Sequence, residues 1–251
     1  MLVLAFTPFF FAHGQAISTT PTDTLYDDLS RLTESLDLLN AIKTGKRPTN
    51  IISLQTALNN VISISEEEMR TVSLRLAALN ELTSEESALR NKLMANIASF
   101  KLHVRAVRTD TTQEAGISSV ISLAQKFKEW REGPYVTTME RAIALIDILE
   151  NENSIQAANA RLTSILKDEK KIRGMLSGTK TAAFMRLIKR AQGELKKAAD
   201  LNGRAKAALL PNPKNETADD KDSIGEILRQ SSNLLSATYD DFIAMSKLIK
   251  K

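Results

Sequence analysis

A chain of 251 residues without a single cysteine has no disulfide, no thiolate nucleophile and no cysteine metal ligand, so a sizeable apolar core must hold it together. His13 and His103 are the only histidines, which excludes a Cys/His zinc centre, and the scarcity of aromatic residues leaves a core of Leu, Ile, Val and Ala, a helix-forming composition. The net charge of +4 is unevenly placed: residues 163–210 hold twelve basic and four acidic side chains, whereas the remaining segments are close to balanced.

The chain opens on an uncharged apolar run, Leu2 to Ala12, followed by Gly14-Gln15-Ala16, small residues at the spacing a signal peptidase accepts. Residues 1–16 therefore read as a secretory signal. The run of about eleven residues is too short to span a bilayer. Only the terminal amine is positive ahead of it, and the alternative is a buried N-terminal helix. The expected compartment is secreted, periplasmic or cell-envelope. A cysteine-free cleavage point excludes the usual lipoprotein, and no later apolar run is long enough for a transmembrane helix.

Proline punctuates the chain beyond residue 16, because a helix interior rejects it. Pro21 precedes the first periodic segment, Pro48 follows Gly45, Pro134 follows Gly133, and Pro211 and Pro213 open a polar stretch. Leu25, Leu29, Leu32, Leu36 and Leu39 step by four and three along one helical face, and Gly45 ends that helix. A second stripe runs through Ile51, Leu54, Leu58 and Val61 and resumes at Met69, Val72, Leu76 and Leu79. Ser65 to Glu68 between them is either a capping box or an exposed turn of one helix. Thr83 and Glu86 have capping-box spacing and separate two antiparallel helices, the second carrying Leu89, Leu93, Ile97, Phe100, Val104 and Val107.

A further helix is predicted from Thr112 to Glu132 through Ile117, Val120, Ala124 and Phe127, ending at Gly133-Pro134. Tyr135 to Arg173 then reads as one helix about 58 Å long at about 1.5 Å per residue. Phe184, Leu187, Ile188, Ala191, Leu195, Ala198, Asn202, Ala205 and Leu209 form the most regular stripe of all. Residues 211–223 read as a solvated linker, and Ile224, Leu228, Leu235, Phe242, Met245 and Ile249 mark a last helix whose stripe Ser231 and Thr238 interrupt. The expected fold is all-α: an elongated antiparallel bundle of about six to seven helices, or two consecutive bundles divided near Asp110 or at Gly133-Pro134. Its parts are the signal 1–16, helical hairpins over 17–110, a long-helix segment with a basic face over 111–210, the linker 211–223 and a C-terminal helix over 224–251.

Catalytic chemistry finds few residues to work with. His103 sits on a helical stretch with no strand-to-helix elbow around any serine, and a ferritin-type di-iron site lacks its second histidine. Neither Gly45-Lys46 nor Gly174 to Lys180 (GMLSGTK) completes a phosphate loop. Counting from Asp220, Ile224 and Ser231 stand where a calcium loop needs oxygen ligands. No catalytic residue, metal site or cofactor is expected. Asn215-Glu216-Thr217 matches a glycosylation acceptor, relevant only in a eukaryotic source.

Two features remain. Lys167, Lys170, Lys171 and Arg173 precede the glycines at 174 and 178, and Arg186, Lys189, Arg190, Lys196, Lys197 and Arg204 follow them, the second group opposite the Phe184 to Leu209 stripe. Six positive charges within about five turns are a candidate surface for an anionic polymer or membrane surface. No aromatic is interleaved to stack on bases, so sequence-specific nucleic acid is not the expected partner. Phe127, Trp130 and Tyr135 gather at the Gly133-Pro134 elbow as a partner patch or as a hydrophobic plug between helices. The leading expectation is a non-catalytic interaction, scaffold or adhesion module that binds an unidentified protein or itself. Binding of an anionic surface through residues 163–210 is the alternative, and a membrane-active helical protein a third.

Overall fold

The computed structural model describes residues 51–113, 116–210 and 223–250, and among these the chain is helical almost throughout, with no strand. The signal-like residues 1–16, the Leu25 to Leu39 stripe and the linker residues 211–222 lie outside the described residues. The helices are α1 (Ile51–Ala78), α2 (Ser84–Gln113), α3 (Ile117–Trp130), α4 (Val136–Met175), α5 (Gly178–Leu209) and α6 (Ile224–Lys250), with a π-helical turn at Arg131–Tyr135 joining α3 to α4. None of the described helices is long and apolar enough to cross a membrane. The described residues divide into two compact units, one made of residues 51–71 and 99–135, the other of residues 72–98 and 136–250.

The second unit is organised by α5. Its buried residues Phe184, Ile188, Ala191, Leu195, Ala198, Asn202, Ala205 and Leu209 advance in steps of four and three, so they hold one face along the whole helix. Every seventh residue from Ala191 is alanine, and α6 comes close enough there for the Ser231 hydroxyl to donate to the Ala198 carbonyl at 2.9 Å. Ser231 and Thr238 therefore do not interrupt the α6 stripe. Both are fully buried, and Thr238 satisfies itself on the Leu234 carbonyl at 2.9 Å. The apolar core between α4, α5 and α6 gathers Ile155, Leu162, Phe184, Leu195, Leu235 and Phe242. Asn202, buried mid-stripe, donates to the Ile148 carbonyl of α4 at 3.0 Å, and Ser232 of α6 donates to Asn151 at 3.3 Å.

Thr83 and Glu86 form the capping box their spacing predicts: the Thr83 N–H donates to the Glu86 carboxylate at 2.7 Å, and the Glu86 N–H to the Thr83 hydroxyl at 3.3 Å. Glu86 has a second task. Its other oxygen lies 2.6 Å from the Lys206 ammonium of α5, which also reaches Glu152 of α4 at 2.8 Å. Glu81, in the turn before this box, is left-handed at φ 55, a conformation costing an L-residue about 1–2 kcal/mol.

In the first unit, Gln55 donates to the Thr111 carbonyl at 2.8 Å and Arg108 reaches Ser63 at 3.0 Å and Glu66 at 2.7 Å, which sets these stretches of α1 and α2 antiparallel. Two boundaries differ from the expectation set by sequence. Ser65 to Glu68 is not a cap but a turn within α1, and only its outer side is exposed: Glu67 faces solvent, whereas Ser65 is wholly inaccessible and Glu68 is buried. Gly133-Pro134 does not end a helix. The helix runs through it as a π turn that contains Pro134, wider than the α turn in which a proline ring meets the carbonyl four residues before it. It also absorbs extra rotation, so that Phe127, Arg131, Tyr135 and Met139, spaced by four, are all buried.

Burial opposes the charge on Glu86, but hydrogen bonds from Lys206 and Thr83 outweigh it and hold the carboxyl below the usual carboxylate range. A carboxylate with a depressed folded pKa stabilises the fold above its unfolded pKa, and that contribution disappears as pH falls through the lower folded value. Glu86→Ala should lower stability by about 1–3 kcal/mol at pH 7. Urea unfolding of the parent and variant across pH 7 to 3 checks this; the gap between them should narrow as the pH drops.

Candidate functional site

All ten basic residues singled out from the sequence lie in the second unit and all are exposed. Lys167, Lys170, Lys171 and Arg173 occupy the last turns of α4; Arg186, Lys189, Arg190, Lys196, Lys197 and Arg204 lie on α5 away from its buried stripe. The structure separates them by occupation. Lys167, Lys170, Lys171, Arg186, Lys189, Lys196 and Lys197 form no ion pair with any described residue. Arg173 sits 3.3 Å from Glu169, an i,i+4 pair at the surface.

Arg190 is committed to the fold. Its guanidinium grips Asp241 of α6 in a two-pronged pair, with Nε donating at 2.7 Å, and Asp241 is fully buried. That carboxylate holds Arg190 above even the ordinary arginine value. Next to it, Glu194 is pushed above the usual carboxylate range by burial and by the charge of Asp241. Among the described residues, Lys189, Lys196, Lys197 and Arg186 on α5 are thus outside any ion pair, and Arg190 beside them is structural.

The aromatic residues at the elbow belong to the first unit and form a contiguous cluster. Trp130 has Phe127 at 5.3 Å, Tyr135 at 5.1 Å, Phe100 edge-on at 5.4 Å and His103 at 4.6 Å between ring centres. Phe127 and Tyr135 are buried and Trp130 is half-buried. His103 is exposed as a residue, but partial burial of its imidazole holds its pKa below the usual histidine value.

Beneath the aromatics lies a polar group that sequence reasoning missed. Arg131 is almost fully buried and donates to the Ser65 hydroxyl and, at 2.8 Å, to Glu68; the Tyr135 hydroxyl donates to the other Glu68 oxygen at 2.5 Å and to the Ser65 carbonyl at 3.2 Å. Burial, followed by the neighbouring Glu68 charge, drives the Tyr135 phenol far above its ordinary value, so it stays protonated and remains a donor. The signal was present in spacing: Ser65 and Glu68 continue the stripe from Leu58 and Val61 to Val72, and Arg131 stands midway between Phe127 and Tyr135. A Glu and an Arg that both fall on buried faces belong together.

This network has no free nucleophile, and among the described residues no three acidic or histidine side chains converge as metal ligands. The chain matches no protein-family model, no characterised protein and no solved structure.

Arg131→Ala strands a buried carboxylate and should cost about 3–5 kcal/mol, whereas joint replacement of Glu68 and Arg131 by methionine should recover much of that loss. Equilibrium urea unfolding of the three proteins is the check. Protonated imidazole against an indole quenches emission, so Trp130 fluorescence should fall on acidification with a midpoint below the usual 6.5 for histidine, and His103→Gln should abolish that step.

Proposed function

We propose that the protein is a non-catalytic helical module of a secreted or cell-envelope setting that works by presenting its surface, and that the surface in use is the basic face of residues 163–210, which holds an anionic polymer. The supporting observation is the set of seven exposed cations without an ion-pair partner among the described residues, spread over the end of α4 and the outer face of α5. A face of one sign raises the local concentration of a polyanion and binds by releasing its counterions. The reading takes the helices as an antiparallel bundle whose stripe faces inward and whose lysines face out. The cluster of Phe127, Trp130 and Tyr135 fits the plug reading better than the partner patch, because two of its three rings are buried and only Trp130 has an edge in solvent.

The test is retention on immobilised heparin in a salt gradient. Arg186→Glu, Lys189→Glu, Lys196→Glu and Lys197→Glu together should abolish retention that the parent protein shows at low salt. Arg190 is left in place, since its loss would uncover Asp241 and confound binding with folding. Equal retention of parent and variant, with circular dichroism unchanged, would sink the proposal.

A further inference from the structure

The turn between α4 and α5 carries something a polyanion-binding face does not need. Met175, the last residue of α4, is 62 % exposed, and Leu166, two and a half turns earlier, is 37 % exposed. At about 100° per residue, Leu166 lies on the side of α4 opposite Met175, and Lys167, Lys170, Lys171 and Gly174 fall on the flank between them. Lys180 lies just beyond the turn on α5, and like the three α4 lysines it has no ion-pair partner among the described residues. The stretch from Leu166 to Lys180 contains five cations and two carboxylates, and one of those carboxylates, Glu169, is engaged by Arg173 at 3.3 Å.

The turn is also preformed and unobstructed. The Leu176 N–H donates to the Arg173 carbonyl at 3.3 Å, the Thr181 N–H to the Ser177 carbonyl at 2.8 Å, and the Thr181 hydroxyl to the same carbonyl at 3.0 Å. Leu176 itself turns inward against the core of the second unit. A side-chain carbon placed on Gly174 or Gly178 would meet no neighbouring element within 4 Å, so both glycines face open space.

We propose that this apex docks on an anionic lipid surface, with Met175 entering the interface and Lys167, Lys170, Lys171 and Lys180 lying at the headgroups. A soluble polyanion would use the lysines but offers nothing to an exposed methionine at the tip. A bilayer offers both: headgroup charge for the ammonium groups and an acyl boundary for the methionine, while the lysine stems add apolar length. With only one apolar side chain at the tip, the contact is reversible and strongly dependent on salt and on anionic lipid. The inference goes beyond the proposed function in the partner and in Met175 and Lys180; Lys167, Lys170 and Lys171 belong to the basic face as well, so substitutions at Met175 and on α5 tell the two readings apart.

The experiment is co-sedimentation of the full chain with vesicles of phosphatidylcholine alone and of phosphatidylcholine with phosphatidylglycerol, at low and high salt. The parent protein should pellet with the anionic vesicles at low salt and not with the neutral ones. Met175→Asp and the combined Lys167→Glu, Lys170→Glu, Lys171→Glu protein should each partition at least tenfold less, while Met175→Leu should partition like the parent. The fourfold α5-face variant should keep most of its vesicle binding. Heparin retention of Met175→Asp should equal that of the parent, which shows that the variant is folded and separates the two sites. Failure of the parent to bind anionic vesicles, undiminished binding by Met175→Asp, or binding lost with the α5 face but kept by the apex variants would each overturn the proposal. If heparin retention fails while apex-dependent vesicle binding holds, only the polymer reading falls.

Discussion

The close approach of α6 to the alanine positions of α5 is the constraint on which the second unit depends. With Ala191, Ala198 and Ala205 at every seventh position, the α5 surface is low along one edge, and a partner helix settles near enough for a side-chain hydroxyl to touch its backbone. A cysteine-free chain with few aromatics gains little from any single large side chain. It gains instead from length: many modest contacts repeated along helices that keep a strict step of four and three. The larger residues Ile188, Leu195 and Leu209 occupy the positions between, and Phe184 stands at the alanine position one heptad earlier.

Uniform apolar stripes of this kind are poor at choosing a register, and buried polar groups supply what they lack. Asn202 on the Ile148 carbonyl, Ser231 on Ala198 and Asp241 on Arg190 each have one partner, and sliding either helix by a turn would strand a buried polar atom. The first unit does the same with a denser group, Ser65, Glu68, Arg131 and Tyr135. Glu86 joins the two uses, since one carboxylate caps α2 and receives the ammonium that α5 sends to it. These groups add less to stability than their number suggests, because each has lost its water; their contribution is selection of one arrangement.

Helix content and the faces of α5 and α6 were legible in the sequence because apolar spacing is a local property, read without knowing the partner. The capping box at Thr83 and Glu86 was legible for the same reason. The burial of Ser65 and Glu68 was not, because their polarity is answered by Arg131 and Tyr135, more than sixty residues away, and no local pattern announces such a partner. Nor was the continuation through Gly133-Pro134, because the usual rule assumes an α turn, while a π turn accommodates a proline that an α turn would expel. The basic face was visible as charge, but not that Arg190 is already engaged, since Asp241 lies on a different helix.

The position of Trp130 gives the molecule an asymmetric reporter. It is the only tryptophan, and with Phe100, Phe127 and Tyr135 around it, its emission senses the first unit alone. Helical circular dichroism is collected from both units at once. The α1 and α2 backbones each contribute residues to both, so the connections are continuous helix and not loops. Superimposable unfolding curves from the two signals would mean that strain passes along those backbones and the units melt as one cooperative block; curves that separate would mean that a helix can fray in one unit while it holds in the other.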